Sequence, residues 1–433
     1  MKLHRYLLPI LIAVLATLPG IYIRLAHISL PHPYTVAFSG IAILGASFLL
    51  LWACDAVQKD ISQALALAVV ALIAVLPEYA VDMYFTWKAG ANPGSDYAHY
   101  AIANMTGANR LLIGVGWAVI AVIFWVKTRR SVRIGKERRT ELLFLGIATL
   151  YAFVIPLKGT LAWYDGVVFL GIYVAYMAIA GRRPCTECEV DGPAELLCAQ
   201  PALPRRLYTI SMFVFAALVI LANAEPFSES LIGTGTLLHI NKFILVQWLA
   251  PIASEAPEFT VAIMFALRGQ AGLALGSLLS SKLNQWTLLV GMIPGVYAWS
   301  AHSLAHPMPM STFQMSEILL TAAQSLLAVI ILASLRLSIR QAGILFGLFI
   351  TQLVTSAIIG QAPGQTLFGV TLIHAHFFFT LTYVAVTLAY LAVSPRRLHG
   401  LWQGRKLHVG EEEADELPEV AKQDAELTGV RMS

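Results

Sequence analysis

The stretch Ala250-Pro251-Ile252-Ala253-Ser254-Glu255-Ala256-Pro257-Glu258-Phe259 places two carboxylates and two prolines inside an apolar run. That run begins near Phe243 and continues to about Leu267. A charged side chain near the middle of a bilayer costs about 2.5–3.5 kcal/mol on insertion scales. Glu255 and Glu258 are therefore expected to face a wet cavity, a bound cation or a basic partner.

A weaker copy of this pattern is Leu76-Pro77-Glu78-Tyr79-Ala80-Val81-Asp82. Glu78 and Asp82 are four residues apart and share a helix face, as do Glu255 and Glu258 at a spacing of three. Each proline removes an N–H and leaves the carbonyl four residues earlier without its helical partner. Carboxylates beside freed carbonyls form an oxygen-rich site for a hard cation.

The composition is typical of a membrane protein. The 433 residues are 58% hydrophobic and only 12% charged, whereas a soluble domain is about 25% charged. Apolar runs of about 20 residues, the length that crosses a bilayer, recur throughout. They lie near 6–26, 34–56, 62–87, 97–126, 140–156, 161–180, 207–226, 237–267, 270–299, 314–336, 340–360 and 366–393. We predict an all-α polytopic membrane protein with about twelve transmembrane helices.

The basic loops indicate the orientation. With twelve spans, the basic residues of 127–139, 182–206, 336–340 and 396–406 fall on one side together with the basic N-terminal residues. The positive-inside rule makes that side cytoplasmic. We therefore expect both termini inside and a location in the cytoplasmic (inner) membrane.

The spans that carry the two copies cross the membrane in opposite directions, so the halves that contain them are inverted with respect to each other. Each copy is followed by a span rich in small and polar residues. These are Asn104, Thr106, Asn109 and Arg110 in the fourth span and Ser277, Ser280, Ser281, Lys282, Asn284 and Gln285 in the ninth. Interrupted helices at matching positions of inverted repeats indicate a binding site near the bilayer midplane of a secondary transporter.

We assign three roles to these residues. The residues expected to bind the ion are Glu78, Asp82, Asn109, Ser254, Glu255, Glu258 and Ser281. The residues expected to line the site are Asn104, Thr106, Ser277, Ser280, Asn284 and Gln285. Lys282 and Arg110 are expected to compensate charge, or to couple ion release to protonation.

The two copies resemble the α-repeats of the cation/calcium exchanger superfamily, the sodium/calcium exchangers and their relatives. That family has Thr-Ser-x-Pro-Glu followed by Gly-Ser-Asn in the next helix. Here the second copy gives Ser254 to Glu258 and then Ser280-Ser281-Lys282, and the first gives Pro77-Glu78 and then Gly107-Ala108-Asn109. The resemblance implies alternating-access antiport of cations, with Glu78 and Glu258 as the central metal-binding carboxylates and no further cofactor. Ser254, Ser281 and Asn109 match its accessory ligands.

The resemblance also implies a ten-helix core with one extra helix at each end. The expected divisions are 1–33 (extra N-terminal helix), 34–180 (first half), 181–206 (cytoplasmic linker with cysteines), 207–360 (second, inverted half), 361–399 (extra C-terminal helix) and 400–433 (acidic tail). The tail is predicted to be disordered because it is acidic and almost lacks aromatic residues.

Some residues depart from the family pattern. Ala74, Val75 and Ala108 lack hydroxyls, Glu255 adds a carboxylate, and Lys282 places an ammonium where the family has an amide. Calcium takes six to eight oxygen ligands, and an ammonium opposes a divalent ion. These changes favour sodium or proton exchange, or a divergent substrate, over calcium transport.

Alternatives stay open at this point. The carboxylates could form structural pairs with Lys282 and Arg110, as in a transport-inactive sensor or partner subunit, and Asp82 could be a solvated vestibule residue. A membrane enzyme could use paired carboxylates as acid and base, but no nucleophile or zinc-protease motif accompanies them. Cys185, Cys188 and Cys198 are interpreted as reduced thiols. The expected partners are protons, small cations and lipid, with no nucleic acid.

Overall fold

The computed structural model describes residues 2–60, 75–181, 192–239, 241–303, 306–359, 366 and 369–395. The start of the predicted third span, Cys185, Cys188 and the acidic tail lie outside these residues, as do Ile73 and Ala74. The described chain is almost entirely helical, as predicted.

The first half contains eight α-helices and two short strands among the described residues. They are α1 (Lys2–Leu25), α2 (His32–Val57), α3 (Leu76–Ala91), α4 (Tyr97–Leu111), α5 (Ala118–Thr128), β1 (Val132–Arg133), α6 (Arg139–Ala152), α7 (Val154–Lys158), β2 (Thr160–Leu161) and α8 (Trp163–Ala180). A π-helical segment, Leu112–Trp117, joins α4 to α5, and a 3-10 turn, Lys136–Arg138, precedes α6.

The described residues of the linker and second half continue this pattern. They form α9 (Ala194–Cys198), α10 (Ala202–Leu237), α11 (Lys242–Ile244), α12 (Ala250–Leu267), α13 (Ala271–Asn284), α14 (Val290–Ser300), β3 (Met308–Pro309), α15 (Thr312–Leu332), β4 (Arg336–Leu337), α16 (Ile339–Ile359) and α17 (Leu372–Val393). π-helical segments join α11 to α12 at Leu245–Leu249 and α13 to α14 at Gln285–Leu289.

Within the described chain, 10 helices are long and apolar enough to cross a membrane. The helix α3 and the continuous run 271–300 are not among them. Both carry the buried polar residues on which the sequence prediction of a site depends, such as Glu78 and Lys282. The total of twelve spans and the sidedness of the termini stay predictions.

Two small antiparallel ribbons pair loops of one half with loops of the other. β1 pairs with β4 through Val132 and Leu337, and β2 pairs with β3 through Leu161 and Met308. The first ribbon joins the loop after the fourth predicted span to the loop after the tenth. The second ribbon joins the loop after the fifth predicted span to the loop after the ninth. Two inverted halves would produce this reciprocal pairing of loops. We call the face with β1 and β4 the basic face, and the face with β2 and β3 the opposite face.

The site helices run towards different faces. Near the end of α3, the Trp87 carbonyl accepts a hydrogen bond from Ser300 at 2.6 Å, on the opposite face. At the end of α12, the Leu267 carbonyl accepts a hydrogen bond from Lys127, on the basic face. From Glu78 and from Glu255, the chain therefore continues in opposite directions across the protein.

The backbone of α4 lies in close contact with the π-helical segment before α12. A Cβ atom added to Gly107 would lie 1.9 Å from the carbonyl oxygen of Gln247. Only glycine permits this approach, so Gly107 sets how closely the helix with Asn109 can pack against the segment leading to Glu255.

Candidate functional site

The carboxyl groups of Glu78 and Glu255 lie in contact with each other at hydrogen-bonding range. Glu78 lies in the first turn of α3, next to Pro77, and Glu255 lies on α12 between Pro251 and Pro257. Their exposed fractions are 1% and 2%. The structure thus brings one acidic side chain from each half into a single buried pair.

Few protein groups donate to this pair. Gln285 Nε2 donates to Glu255 Oε1 at 2.5 Å. Both oxygens of Glu78 and the second oxygen of Glu255 are buried without an N–H or hydroxyl donor among the described residues. Two carboxylates in contact cannot both remain ionised without a neutralising partner. The pair must therefore hold a shared proton or a positive ligand.

Two further carboxyl groups flank the pair. Asp82 is one helical turn from Glu78 on the side of the opposite face, and its Oδ1 accepts a hydrogen bond from Asn104 at 2.8 Å. Glu258 is about one turn from Glu255 on the side of the basic face, near Cys54 of α2, and it is half-buried. Acidic side chains thus extend from the central pair in both directions.

The structure corrects the predicted partner of Glu78. The family resemblance implies Glu78 and Glu258 as the central carboxylates, but the carboxyl of Glu78 contacts Glu255. Glu258 is three residues further along α12, which rotates its side chain by about 300° and moves it about one turn along the axis. Glu258 lies near enough to interact electrostatically with Glu78, and it is a flanking residue rather than the central one.

Lys282 does not pair with a carboxylate within the described chain. Its Nζ donates to Asn109 Oδ1 at 2.6 Å and to the Asn109 carbonyl at 3.4 Å. The same ammonium lies 4.4 Å from the ring centroid of Trp286, a cation–π contact. The alternative in which Lys282 forms a structural ion pair with a site carboxylate is not seen among the described residues, because Asn109 holds the lysine.

Arg110 forms an ion pair with Glu317 of α15, a residue that the sequence analysis missed. Both side chains have exposed fractions of 1%. Glu317 Oε2 also accepts hydrogen bonds from Gln247 at 2.8 Å and from Thr106 at 3.3 Å, and His376 Nε2 lies 3.2 Å from Oε1. The alternative in which Arg110 pairs with a site carboxylate is therefore not seen in the part of the chain that the structure describes, because Glu317 of this separate cluster is its partner.

Glu317 gives the same sequence signal as the residues that were identified. It is a single carboxylate inside an apolar span of 21 residues, Thr312–Leu332, where insertion is costly. Gln247 and His376 gave weaker signals, since neutral polar residues are commoner in membrane helices.

One predicted lining residue, Asn284, and two predicted ion-binding residues, Ser254 and Ser281, have different surroundings. Asn284 Oδ1 accepts a hydrogen bond from Tyr79 at 3.1 Å, which joins the two site helices. Ser254 is buried but donates within its own helix, to the carbonyls of Ala250 and Pro251. Ser281 is half-buried.

Two serines lie away from the pair. Ser277 is exposed on the surface of α13, and Ser280 accepts a hydrogen bond from Arg138 at 3.0 Å. Their assignment as lining residues is not supported by these positions. In the described residues no cluster of three or more His, Cys, Asp or Glu side chains is arranged to hold a metal ion. Cys54 and Cys198 are free thiols.

A family model described as sodium/calcium exchanger protein matches residues 32–181 and 208–358. The chain belongs to the sodium/calcium exchanger protein family. The model matches the chain twice, and the first match contains Glu78 while the second contains Glu255. The recognition of the family from the two Pro-Glu segments is thereby confirmed.

The solved structures of relatives include an H+/Ca2+ exchanger, CAX. It is 40% identical in sequence, with 91% of this chain and 96% of that chain covered and a TM-score of 0.84. A structure of the sodium-calcium exchanger NCX_Mj is 18% identical, covers 76% of this chain and 99% of that one, and has a TM-score of 0.51. The latter shows similarity of fold alone.

A curated relative is the uncharacterized membrane protein MJ0091 of Methanocaldococcus jannaschii. It is 22% identical over 215 residues, which is 50% of this chain. The match spans 64% of that protein, slightly less than two thirds of its length. Two of these relatives of this sodium/calcium exchanger family member are themselves exchangers.

Proposed function

We propose that this protein exchanges protons for a cation, with Ca2+ as the leading candidate, at the Glu78–Glu255 pair. The observation that carries this proposal is the contact between two buried carboxyl groups, one from each half. A proton and a cation satisfy such a pair in mutually exclusive ways. Binding of one therefore displaces the other, which is the coupling that an antiporter needs.

The basic residues near the site are consistent with this proposal. The guanidinium of Arg110 is neutralised by Glu317, and the ammonium of Lys282 is held by Asn109. Neither group forms an ion pair with Glu78 or Glu255 in the described chain. This favours exchange over a transport-inactive protein whose own basic side chains fill the cation site.

The choice of ions follows from two considerations. The relative with 40% identity is an H+/Ca2+ exchanger. Protons also suit this site better than sodium as the second ion, because Glu78 and Glu255 can share a proton directly. Some carboxyl oxygens have no hydrogen-bond partner among the described residues and would supply ligands for a hard divalent cation. They belong to Glu78, Glu255, Asp82 and Glu258.

Alternating access would require the pair to open to each face in turn. Asp82 lies between the pair and the opposite face, and Glu258 lies between the pair and the basic face. We propose that these two carboxylates receive the cation or proton on the two routes. The positive-inside rule assigns the basic face to the cytoplasm, in keeping with a place in the cytoplasmic membrane.

The test is transport by the purified full chain in proteoliposomes. With an acidic interior and alkaline medium, we expect the wild type to accumulate Ca2+ as protons leave. Glu78→Gln and Glu255→Gln should abolish this uptake, whereas Glu258→Gln should retain part of it. A sodium gradient without a pH gradient should drive no uptake.

Other outcomes would reverse the proposal. Uptake by Glu255→Gln at the wild-type rate would remove the central pair from the mechanism. Uptake driven only by sodium would replace the proton as the exchanged ion. Ca2+ binding by the wild type without any flux would favour the transport-inactive interpretation.

A further inference from the structure

Glu317 is a buried carboxylate that the exchange site itself does not use. Its oxygens are surrounded by groups from three elements: Thr106 and Arg110 on α4, Gln247 in the π-helical segment before α12, and His376 on α17. Arg110 forms an ion pair with this carboxylate, and Gln247 and Thr106 donate hydrogen bonds to it. Glu317 therefore supplies a fixed negative charge.

The positive partner of this charge lies beside the exchange site. Arg110 follows Asn109 in the chain, and Asn109 holds the ammonium of Lys282. Lys282 in turn interacts electrostatically with both Arg110 and Glu78. Without Glu317, the guanidinium would thus add a second uncompensated positive charge near a site that must accept a cation.

The surroundings of Arg110 offer no other carboxylate among the described residues. Its guanidinium lies 5.3 Å from the ring centroid of Trp248. The neutral amide of Gln247 contacts the other member of the ion pair, Glu317. Both members of the ion pair are 1% exposed, so water screens them little. The charge of one residue must therefore be balanced by the other.

We propose that Glu317 sets the cation affinity of the exchange site: by neutralising Arg110, it keeps the electrostatic potential at Glu78 and Glu255 low enough for a cation to bind. This inference rests on the proposed function. Two unit charges roughly 10 Å apart in a protein interior interact strongly enough to change a binding constant about tenfold, and the interaction energy doubles for a divalent ion. Glu317 acts through Arg110 and does not touch the cation.

The test is a charge-balance cycle on the purified full chain, with Ca2+ affinity measured by calorimetry at alkaline pH. Glu317→Gln should weaken Ca2+ binding roughly tenfold or more. Arg110→Gln leaves the carboxylate uncompensated and should strengthen binding. The double variant restores neutrality, and its affinity should return to within about threefold of the wild type.

The control is Glu141→Gln. Glu141 accepts a hydrogen bond from Arg138 at 2.7 Å in a cluster that faces Ser280 instead of the exchange site. This variant removes a similar buried carboxylate and should bind Ca2+ like the wild type. Thermal unfolding of every variant shows which of them are folded.

Several outcomes would overturn the inference. They are wild-type affinity in Glu317→Gln, a double variant as weak as Glu317→Gln, and weaker rather than stronger binding in Arg110→Gln. The comparison of Arg110→Gln with the wild type tests the inference even if Glu317→Gln fails to fold. Failure of the wild type to bind or transport Ca2+ would instead refute the proposed function, so the two failures are distinguishable.

Discussion

Lys282, which is buried between the two halves, donates a hydrogen bond of 2.6 Å to Asn109 Oδ1, so it is held by an amide and not by an acid. The two residues lie on α13 and α4, the helices that follow the two acidic segments. Their contact leaves the carboxyl pair of Glu78 and Glu255 free to bind a positive ligand. It also places the Lys282 amine, which is positive when protonated, near that ligand.

Replacement of Lys282 should therefore strengthen cation binding. Lys282→Gln removes the charge but keeps a donor for Asn109. We expect Ca2+ affinity to rise roughly tenfold at a pH at which the Lys282 amine is protonated, because the ammonium no longer repels the divalent ion. Calorimetry on purified protein measures this change. Weaker binding by the variant would mean that the ammonium organises the site.

Gly107 should not tolerate even one additional methyl group. In Gly107→Ala, the new Cβ would meet the Gln247 carbonyl at 1.9 Å, so α4 must shift away from the turn before α12. We expect a loss of about 1–3 kcal/mol of stability, as for other overpacked sites. The thermal unfolding temperature in detergent reports this loss.

Gly295→Ala is the matched control for that variant. Gly295 also lies within a helix, but a Cβ there meets no atom within 4 Å. Alanine should leave the stability unchanged or slightly raise it, since it has the higher helix propensity. Equal unfolding temperatures for the two variants would contradict the close contact between Gly107 and Gln247.

Asp60 should make stability depend on pH in acid. Arg205 donates to both oxygens of Asp60 at 2.8 Å, and Arg206 donates to one at 2.9 Å. The Arg205 guanidinium, with that of Arg206, holds the pKa of this carboxyl well below its usual range. A lowered pKa in the folded state adds stability above the unfolded pKa, and this stability is lost as the pH falls towards the folded value.

The measurement compares Asp60→Asn with the wild type across pH. The variant should unfold at a lower temperature by a constant margin from neutral pH to about 5, and the margin should shrink below about pH 4, where an unfolded aspartate takes up its proton. A margin that grows in acid would contradict this role of Asp60.

The class of the protein and the acidic residues of its site could be predicted from the sequence. Glu78, Asp82, Glu255 and Glu258 are costly in apolar runs, so their presence required an explanation. The two Pro-Glu segments also indicated the family. These inferences depend on composition and local spacing, which the sequence displays directly.

The contacts within the site could not be predicted in the same way. Matching Pro77-Glu78 to Pro257-Glu258 assumed that equivalent residues meet, but the rotation of α12 presents Glu255 to Glu78 instead. Likewise, the pairing of Arg110 depends on how α15 packs against α4. Such packing joins residues that are 207 positions apart, and no local pattern encodes it.

The most direct test of the account counts the protons released when Ca2+ binds. Calorimetry of the purified protein in buffers with different ionisation enthalpies gives this number. Because Glu78 and Glu255 hold either a proton or the cation, we predict that the wild type releases protons on binding Ca2+ at mildly acidic pH and that Glu255→Gln loses this coupled binding. Tight Ca2+ binding without proton release at any pH at which the protein is folded would contradict the central claim.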